Sequence, residues 1–138
     1  MATIKQLRDF LLQCPLLVNF DDNKPLIFVD YLTDRPAAYS IMVIPVTPWV
    51  RKYVDGDHGV KQMVFSFRSR EIYAGREIIE NMDNIAFYEL FEEWLRDTKP
   101  TIPGWIKVEP LSNGYIYDVE EGQDLATYQI QCRVLYTV

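Results

Sequence analysis

The side chains that could carry out chemistry are few and widely spaced. The one histidine, His58, lies among two aspartates and two glycines in residues 55–59. A histidine beside aspartates can bind a metal, but no second histidine or cysteine lies near it, so a solvated turn is the favoured interpretation. Cys14 and Cys132 lack the spacing of a zinc or redox site. We expect both to be small buried apolar side chains.

Neighbouring carboxylates are a second candidate source of catalysis, because two carboxylates suffice for glycoside hydrolysis. The sequence has three such pairs: Asp21 with Asp22, Glu92 with Glu93, and Glu120 with Glu121. Adjacent acids in a turn or on a helix are usually solvated charges. The motifs G-x-S-x-G and H-E-x-x-H and a glycine-rich phosphate loop are all absent. We therefore expect a protein that is not an enzyme, with no catalytic, cofactor-binding or metal-binding residues.

Size and composition are those of one globular domain. The chain has 138 residues, 49% of them hydrophobic, and a net charge of −6, which argues against a surface that grips nucleic acid phosphates or an anionic membrane. The apolar runs 14–20 and 41–46 are far shorter than a membrane-spanning helix. The first nine residues carry a charge every few positions and have no continuous apolar core, unlike a secretory signal. These observations predict a cytosolic protein.

The first half of the chain reads as a helix followed by strands. Residues 3–14 have apolar side chains three and four apart, with Thr3 as an N-cap, which predicts an amphipathic helix. Residues 26–31 and 39–46 are short apolar runs typical of strands, and residues 61–70 alternate polar with apolar side chains. The turn that contains His58 is expected to join the last two runs into a long hairpin.

The second half predicts one helix and three strands. Residues 81–98 have a broad apolar face, and acidic or amide side chains at residues 81–84 are available to cap its start. Strands are predicted at 105–111, 115–119 and 125–138. The Asn-Gly pair at 113–114 favours a tight hairpin between the first two. The last strand alternates along its full length and is long enough to be central.

This order of elements predicts the fold class. We expect an α+β protein, a single domain over residues 1–138, with a largely antiparallel sheet of five to six strands and two helices packed on one face.

Charge is distributed unevenly along the chain. Residues 1–70 carry nine basic and seven acidic side chains, whereas residues 71–138 carry five basic and thirteen acidic ones. Two solvated faces would explain this, but so would a head-to-tail ring in which the basic hairpin of one copy meets an acidic surface of the next. The candidate subunit interface consists of Arg51, Lys52, Lys61, Arg68 and Arg70.

Three runs, 64–73, 81–95 and 126–136, resemble a family of small tail proteins of tailed bacteriophages and of prophages in Gram-positive bacteria. These are the tail terminators and head-tail joining proteins, sometimes labelled minor capsid proteins. The resemblance implies a structural virion protein, present in the host cytoplasm during assembly and then in the tail. It also implies a hexameric ring that caps the head-proximal end of the tail tube, ends its polymerisation and joins the tail to the capsid.

The partners that this resemblance implies are other copies of the chain, the tail tube protein and the head-tail connector protein, with no membrane. DNA would pass through the ring without specific binding, and Glu120, Glu121 and Asp124 are candidates for an acidic lumen that repels it. Two alternatives remain at this point: a small ligand-binding or regulatory α+β module with no assembly role, and an enzyme that uses carboxylates.

Overall fold

The computed structural model describes residues 2–17, 25, 27–30, 38–72, 78–120 and 125–138. The protein is α+β, as predicted, and these residues form two helices and seven strands. In chain order they are α1 (Ile4–Leu11), β1 (Ile27–Val29), β2 (Ala38–Ile44), β3 (Trp49–Lys52), β4 (Gly59–Ile72), α2 (Ile78–Asp97), β5 (Trp105–Pro110), β6 (Tyr115–Glu120) and β7 (Leu125–Thr137).

All seven strands form one open sheet. Its order is β1-β2-β4-β7-β5, with β3 also paired to β4 and β6 also paired to β7. The predicted, largely antiparallel sheet of five to six strands is therefore too small, and it is mixed rather than wholly antiparallel because β1 at one edge runs parallel to β2, with Ile27 opposite Tyr39. The error has a physical basis, since side-chain periodicity identifies a strand but does not say which neighbour it pairs with or in which direction.

Two long central strands are each flanked by an interrupted one. β4 pairs with β7 along its whole length, except at Gly59, whose amide and carbonyl bond to Val138. On the other side of β4, β2 and β3 follow each other as one antiparallel row broken at residues 45–48. On the other side of β7, β5 and β6 do the same, with a break at residues 111–114. The long hairpin predicted around the His58 turn is present, with β3 in its arm.

A glutamine on each central strand holds the neighbouring break in place. The backbone amide of Gln62 donates to the carbonyl of Pro48 at 2.7 Å, and the side-chain amide of Gln62 donates to the carbonyl of Thr47 at 3.0 Å. At the second break, the Gln131 carbonyl accepts from the amide of Leu111 at 2.7 Å. The Gln131 amide donates to the hydroxyl of Ser112 at 3.1 Å. Each interruption is thus bonded to its strand rather than being a free loop.

The tight hairpin predicted at 113–114 is wrong, because β5 and β6 do not pair with each other. Gly114 instead marks a close approach of the backbone to α2. A Cβ atom at Gly114 would overlap the Cβ of Tyr88. Only glycine, which has no Cβ, fits at this position. The Asn-Gly signal is therefore correct in marking an irregular backbone and wrong about the turn that it forms.

The two helices cover one face of the sheet. On this face β4 contributes Phe65 and Phe67, and β7 contributes Ile130 and Cys132, all of them completely buried. The predicted alternation of these strands is thereby confirmed. From α2, Phe91 stacks on Phe67 with ring centroids 4.6 Å apart.

Helix α1 reaches the same core through Phe10, whose ring stacks on Trp94 of α2 at 5.2 Å. Its start is fixed as predicted, because the hydroxyl of Thr3 accepts from the amide of Gln6 at 3.2 Å. The amide of Thr3 in turn donates to the side-chain oxygen of Gln6 at 3.0 Å, which completes a capping box. Helix α2 begins at Ile78, three residues before the predicted start, so residues 81–84 lie inside it and do not cap it.

A buried polar cluster ties α2 to both central strands. The hydroxyls of Ser69 on β4 and Tyr88 on α2 share a hydrogen bond at 2.5 Å. The Tyr88 hydroxyl also donates to the backbone carbonyl of Tyr128 on β7 at 3.2 Å.

Among the described residues, neither helix has the length and apolar content needed to span a membrane.

Candidate functional site

The single histidine closes a solvated turn, as predicted. His58 Nδ1 lies 2.7 Å from Asp55 Oδ2, and the other Asp55 oxygen accepts from the amides of Asp57 at 3.0 Å and His58 at 3.1 Å. These hydrogen bonds hold the pKa of Asp55 below its ordinary value, and the bond to the His58 side chain has the largest effect. The carboxylate of Asp55 is thus engaged in shaping the tip of the β3–β4 hairpin.

Both cysteines are free and buried, as expected for small apolar side chains. Burial raises the pKa of the Cys14 thiol, and burial together with the nearby Glu92 carboxylate raises that of Cys132. Thiols with raised pKa values are poor nucleophiles at neutral pH.

The carboxylate pair on α2 divides into one buried and one exposed member. Glu92 is buried and accepts a hydrogen bond from the amide of Gly114 at 3.2 Å, with Arg96 3.8 Å from its other oxygen. Glu93 is exposed to solvent. Glu92 also lines a cleft of about 280 Å³ between α2 and the break at 111–114. Asp21, Asp22 and Glu121 lie outside the described residues.

Three of the five basic residues of the predicted interface meet at the β3–β4 hairpin. The Nζ atoms of Lys52 and Lys61 lie 4.8 Å and 4.6 Å from the ring centroid of Trp49. The Arg51 guanidinium lies 5.5 Å from the ring of Tyr53. Such contacts hold cations against aromatic faces while leaving their charge available to a partner. We call this group the hairpin basic cluster.

Arg68 lies further along β4, on the face of the sheet opposite the helices. Its Nε donates to the side-chain oxygen of Gln129 at 2.6 Å, and its guanidinium lies 4.3 Å from the ring centroid of Tyr117. The Gln129 side chain in turn donates to the hydroxyl of Tyr115 at 2.5 Å. Arg70 lies on the same face, half-buried.

The five basic residues therefore form two groups and not one patch. Lys61 and Arg68 are seven residues apart in β4, which is about 23 Å at the usual rise per residue. Of the residues predicted to line an acidic lumen, Glu120 is the last residue of β6. Glu121 and Asp124 lie outside the described part of the chain.

The sequence interpretation overlooked β6 as a surface. This strand exposes apolar and aromatic side chains on both of its faces: Tyr115, Ile116, Tyr117 and Val119. It also carries the exposed Asp118. The signal was present in the run of residues 115–119, which is apolar or aromatic at four of five positions and so lacks the alternation of a strand with one solvated face.

In the part of the chain that the structure describes, no three histidine, cysteine or carboxylate side chains lie close enough together to hold a metal ion.

No protein-family model matches the sequence, and no curated protein matches it.

Proposed function

We propose that this protein is the subunit of a ring that caps a bacteriophage tail tube at its head-proximal end. One observation carries the ring: each copy has two open sheet edges, β3 and β6, that differ in chemistry and lie at opposite corners of the sheet. A ring of identical copies needs two different surfaces on each copy, because the contact runs from one surface to the other around the ring.

The opposite placement of the two edges follows from strand register. β3 pairs with β4 at Gly59–Lys61, the end of the sheet where β4 faces residues 136–137 of β7. β6 pairs with residues 125–129 of β7, at the other end and on the other side. Within the described residues, no strand pairs with the outer edge of either one. A contact between such edges on two copies leaves a free edge at each end of the pair, which is the condition for adding a third copy.

Exposed apolar side chains lie along both edges. Val50 and Tyr53 are 47% and 46% exposed at the hairpin, and Tyr117 and Ile116 are 53% and 40% exposed on β6. Apolar side chains clustered on an open strand edge are a liability in a monomer, whereas an assembly buries them.

The tail-terminator part of the proposal rests on the resemblance of residues 64–73, 81–95 and 126–136 to that family. In this role the ring would stack on the last ring of tail tube protein and present its other surface to the head-tail connector. Its activity would be steric, since a bound ring blocks further addition of tube subunits and leaves a channel for DNA.

Light scattering coupled to size-exclusion chromatography, over a range of protein concentration and salt, tests the ring. The capping role is tested by adding the protein to tail tube subunits during polymerisation and measuring tube lengths by electron microscopy. We expect a ring, or a monomer in exchange with one, and shorter tubes. A monomer at every concentration that leaves tube length unchanged would contradict the proposal, and a small molecule bound in the cleft beside Glu92 would then favour the ligand-binding alternative.

A further inference from the structure

We infer that β6 of one copy pairs with β3 of the next copy, so that the ring is closed by strand addition between sheets. This inference rests on the proposed ring and specifies which surfaces form its contacts. The partner is a second copy of this chain, and the two edges are recognised by their complementary charge and by the apolar side chains that they expose.

The backbone of each edge strand is the first requirement for such a contact. An outer strand presents a row of backbone N–H and C=O groups that can bond to another strand. β3 provides four residues and β6 provides six. The shorter strand, β3, therefore limits the pairing to about four residues, which is two repeats of the two-residue strand period. A contact this short needs support from side chains.

Charge complementarity supplies part of that support. Arg51 and Lys52 on β3 are exposed, and Asp118 on β6 is exposed. Within the described part of the chain none of these three side chains makes a salt bridge, so each is available to an ion of opposite sign on another copy. In the sequence, a second acidic residue, Glu120, ends β6. Opposite charges at an interface steer association and select the correct pairing.

Apolar side chains supply the rest. Val50 on β3 and the nearby Tyr53 are exposed, and no described strand pairs with the outer edge of β3. On β6, Ile116, Tyr117 and Val119 are similarly exposed. Pairing would bury these side chains against each other, which is the main favourable term in most protein associations. Each strand carries both apolar and charged side chains, so contacts of both kinds restrict the register of the pairing.

A second acidic surface exists, and strand chemistry argues against it as the docking site. The outer face of α2 exposes Asp83, Glu89 and Glu93, with Met82 and Leu90 between them. The backbone groups in the middle of a helix are already bonded to each other. This face can thus offer side chains only, whereas β6 offers side chains together with an unpaired backbone edge.

Charge reversal and rescue test the pairing. The variant R51E/K52E and the variant D118K each place like charges at every contact, so we expect the concentration for half-assembly to rise about tenfold or more in each. The triple variant R51E/K52E/D118K restores opposite charges and should assemble close to the wild-type concentration. Urea unfolding of each variant monitors the fold, and recovery in the triple variant excludes misfolding as the cause.

The matched control is E89K/E93K, which reverses two exposed acids on α2 and should leave assembly unchanged. A loss of assembly in this control that R51E/K52E rescues would overturn the inference in favour of the helix. Absence of an effect in R51E/K52E and D118K, or no recovery in the triple variant, would also overturn it.

Cross-linking provides a second readout. Copies with V50C mixed with copies with I116C should be joined by a short bismaleimide, since the native Cys14 and Cys132 are buried, whereas either variant alone should give only monomer. Cross-linking of V50C to itself would show a symmetric contact and overturn the inference. If wild-type rings cap tubes while these tests fail, only the inference is wrong. If wild-type protein neither assembles nor caps tubes, the proposed function and the inference both fail.

Discussion

The carboxylate of Glu92 accepts a hydrogen bond from the backbone amide of Gly114 at 3.2 Å, so helix α2 holds the break between β5 and β6. At the same point the ring of Tyr88 lies against Gly114 so closely that no side chain fits. The position of β6, the strand to which we assign a role in assembly, therefore depends on these two residues of α2.

The first prediction concerns the space at Gly114. Gly114→Ala should lower the free energy of unfolding by about 1–3 kcal/mol, because the added methyl overlaps Tyr88 and the backbone must move. Thermal or urea unfolding measures this. Gly56→Ala provides a comparison, because a Cβ there meets nothing within 4 Å and its cost comes only from its positive φ of 78°. A Gly114→Ala protein as stable as the wild type would contradict the close approach.

Removal of the Glu92 carboxylate is a second test of the same connection. Glu92→Ala leaves the partly buried amide of Gly114 without its acceptor, and we expect a loss of about 1–3 kcal/mol in unfolding free energy. Glu92→Gln retains an oxygen acceptor and should lose less. Hydrogen exchange of the Gly114 amide should be faster in Glu92→Ala than in Glu92→Gln, and similar exchange rates would show that the bond does not form in solution.

The buried polar cluster gives a third prediction. Tyr88→Phe removes a hydroxyl that bonds to both Ser69 and the carbonyl of Tyr128. Two buried groups then lose a partner, so we expect a loss of about 1–3 kcal/mol. Ser69→Ala and the double variant complete a cycle whose coupling energy isolates the bond between the two hydroxyls. Additive losses would mean that these hydroxyls do not interact.

Acid stability should depend on Glu109. Its partial burial raises the carboxyl pKa, but hydrogen bonds from Lys107 at 2.9 Å and Arg133 at 2.6 Å outweigh this and hold the pKa below its ordinary value of 4.5. A carboxyl with a lower pKa in the folded state stabilises the fold above the unfolded pKa, and this contribution is lost as pH falls through the folded pKa.

Glu109→Gln should therefore be less stable than wild type at pH 7, by about 1 kcal/mol or less. The two proteins should converge as pH falls below 4.5. Urea unfolding at pH 7, 5 and 3 measures the difference, and a constant difference across this range would contradict the assignment.

The basic residues of the predicted interface should behave differently from one another. Arg68 is bonded to Gln129 and lies over Tyr117, so Arg68→Glu places a carboxylate beside a carbonyl oxygen and should cost about 1–3 kcal/mol of stability. The exposed side chain of Arg51 makes a cation-π contact with Tyr53 and no salt bridge within the part of the chain that the structure describes, so Arg51→Glu should change stability by about 0.5 kcal/mol or less. Equal effects on unfolding would show that the contacts of Arg68 contribute nothing.

Local patterns predicted the elements whose environment is itself local. The alternation of residues 125–137 identified both faces of β7, because one face is buried by helices and the other carries Gln129 and Arg133. Thr3 was recognised as a cap because its partner, Gln6, is three residues away.

What the sequence could not reveal depends on residues far apart in the chain. The glycine at 114 is required by Tyr88, the parallel partner of β1 is β2, and the partners of Arg68 are Gln129 and Tyr117. Turn propensity and periodicity contain no information about such neighbours. The candidate assembly edges were missed for the same reason, since an edge exists only once the strand order is known.

The full pairing of β4 with β7 has a consequence for how fast the chain folds. Val60 meets Thr137 and Ile72 meets Leu125, so the centre of the sheet forms only after a long stretch of intervening chain has been looped out. Such non-local pairing makes folding slower than in helical proteins of this size. Until β7 docks, β4 presents an unpaired edge many residues long, and refolding should be efficient only at protein concentrations low enough that two incomplete sheets do not meet first.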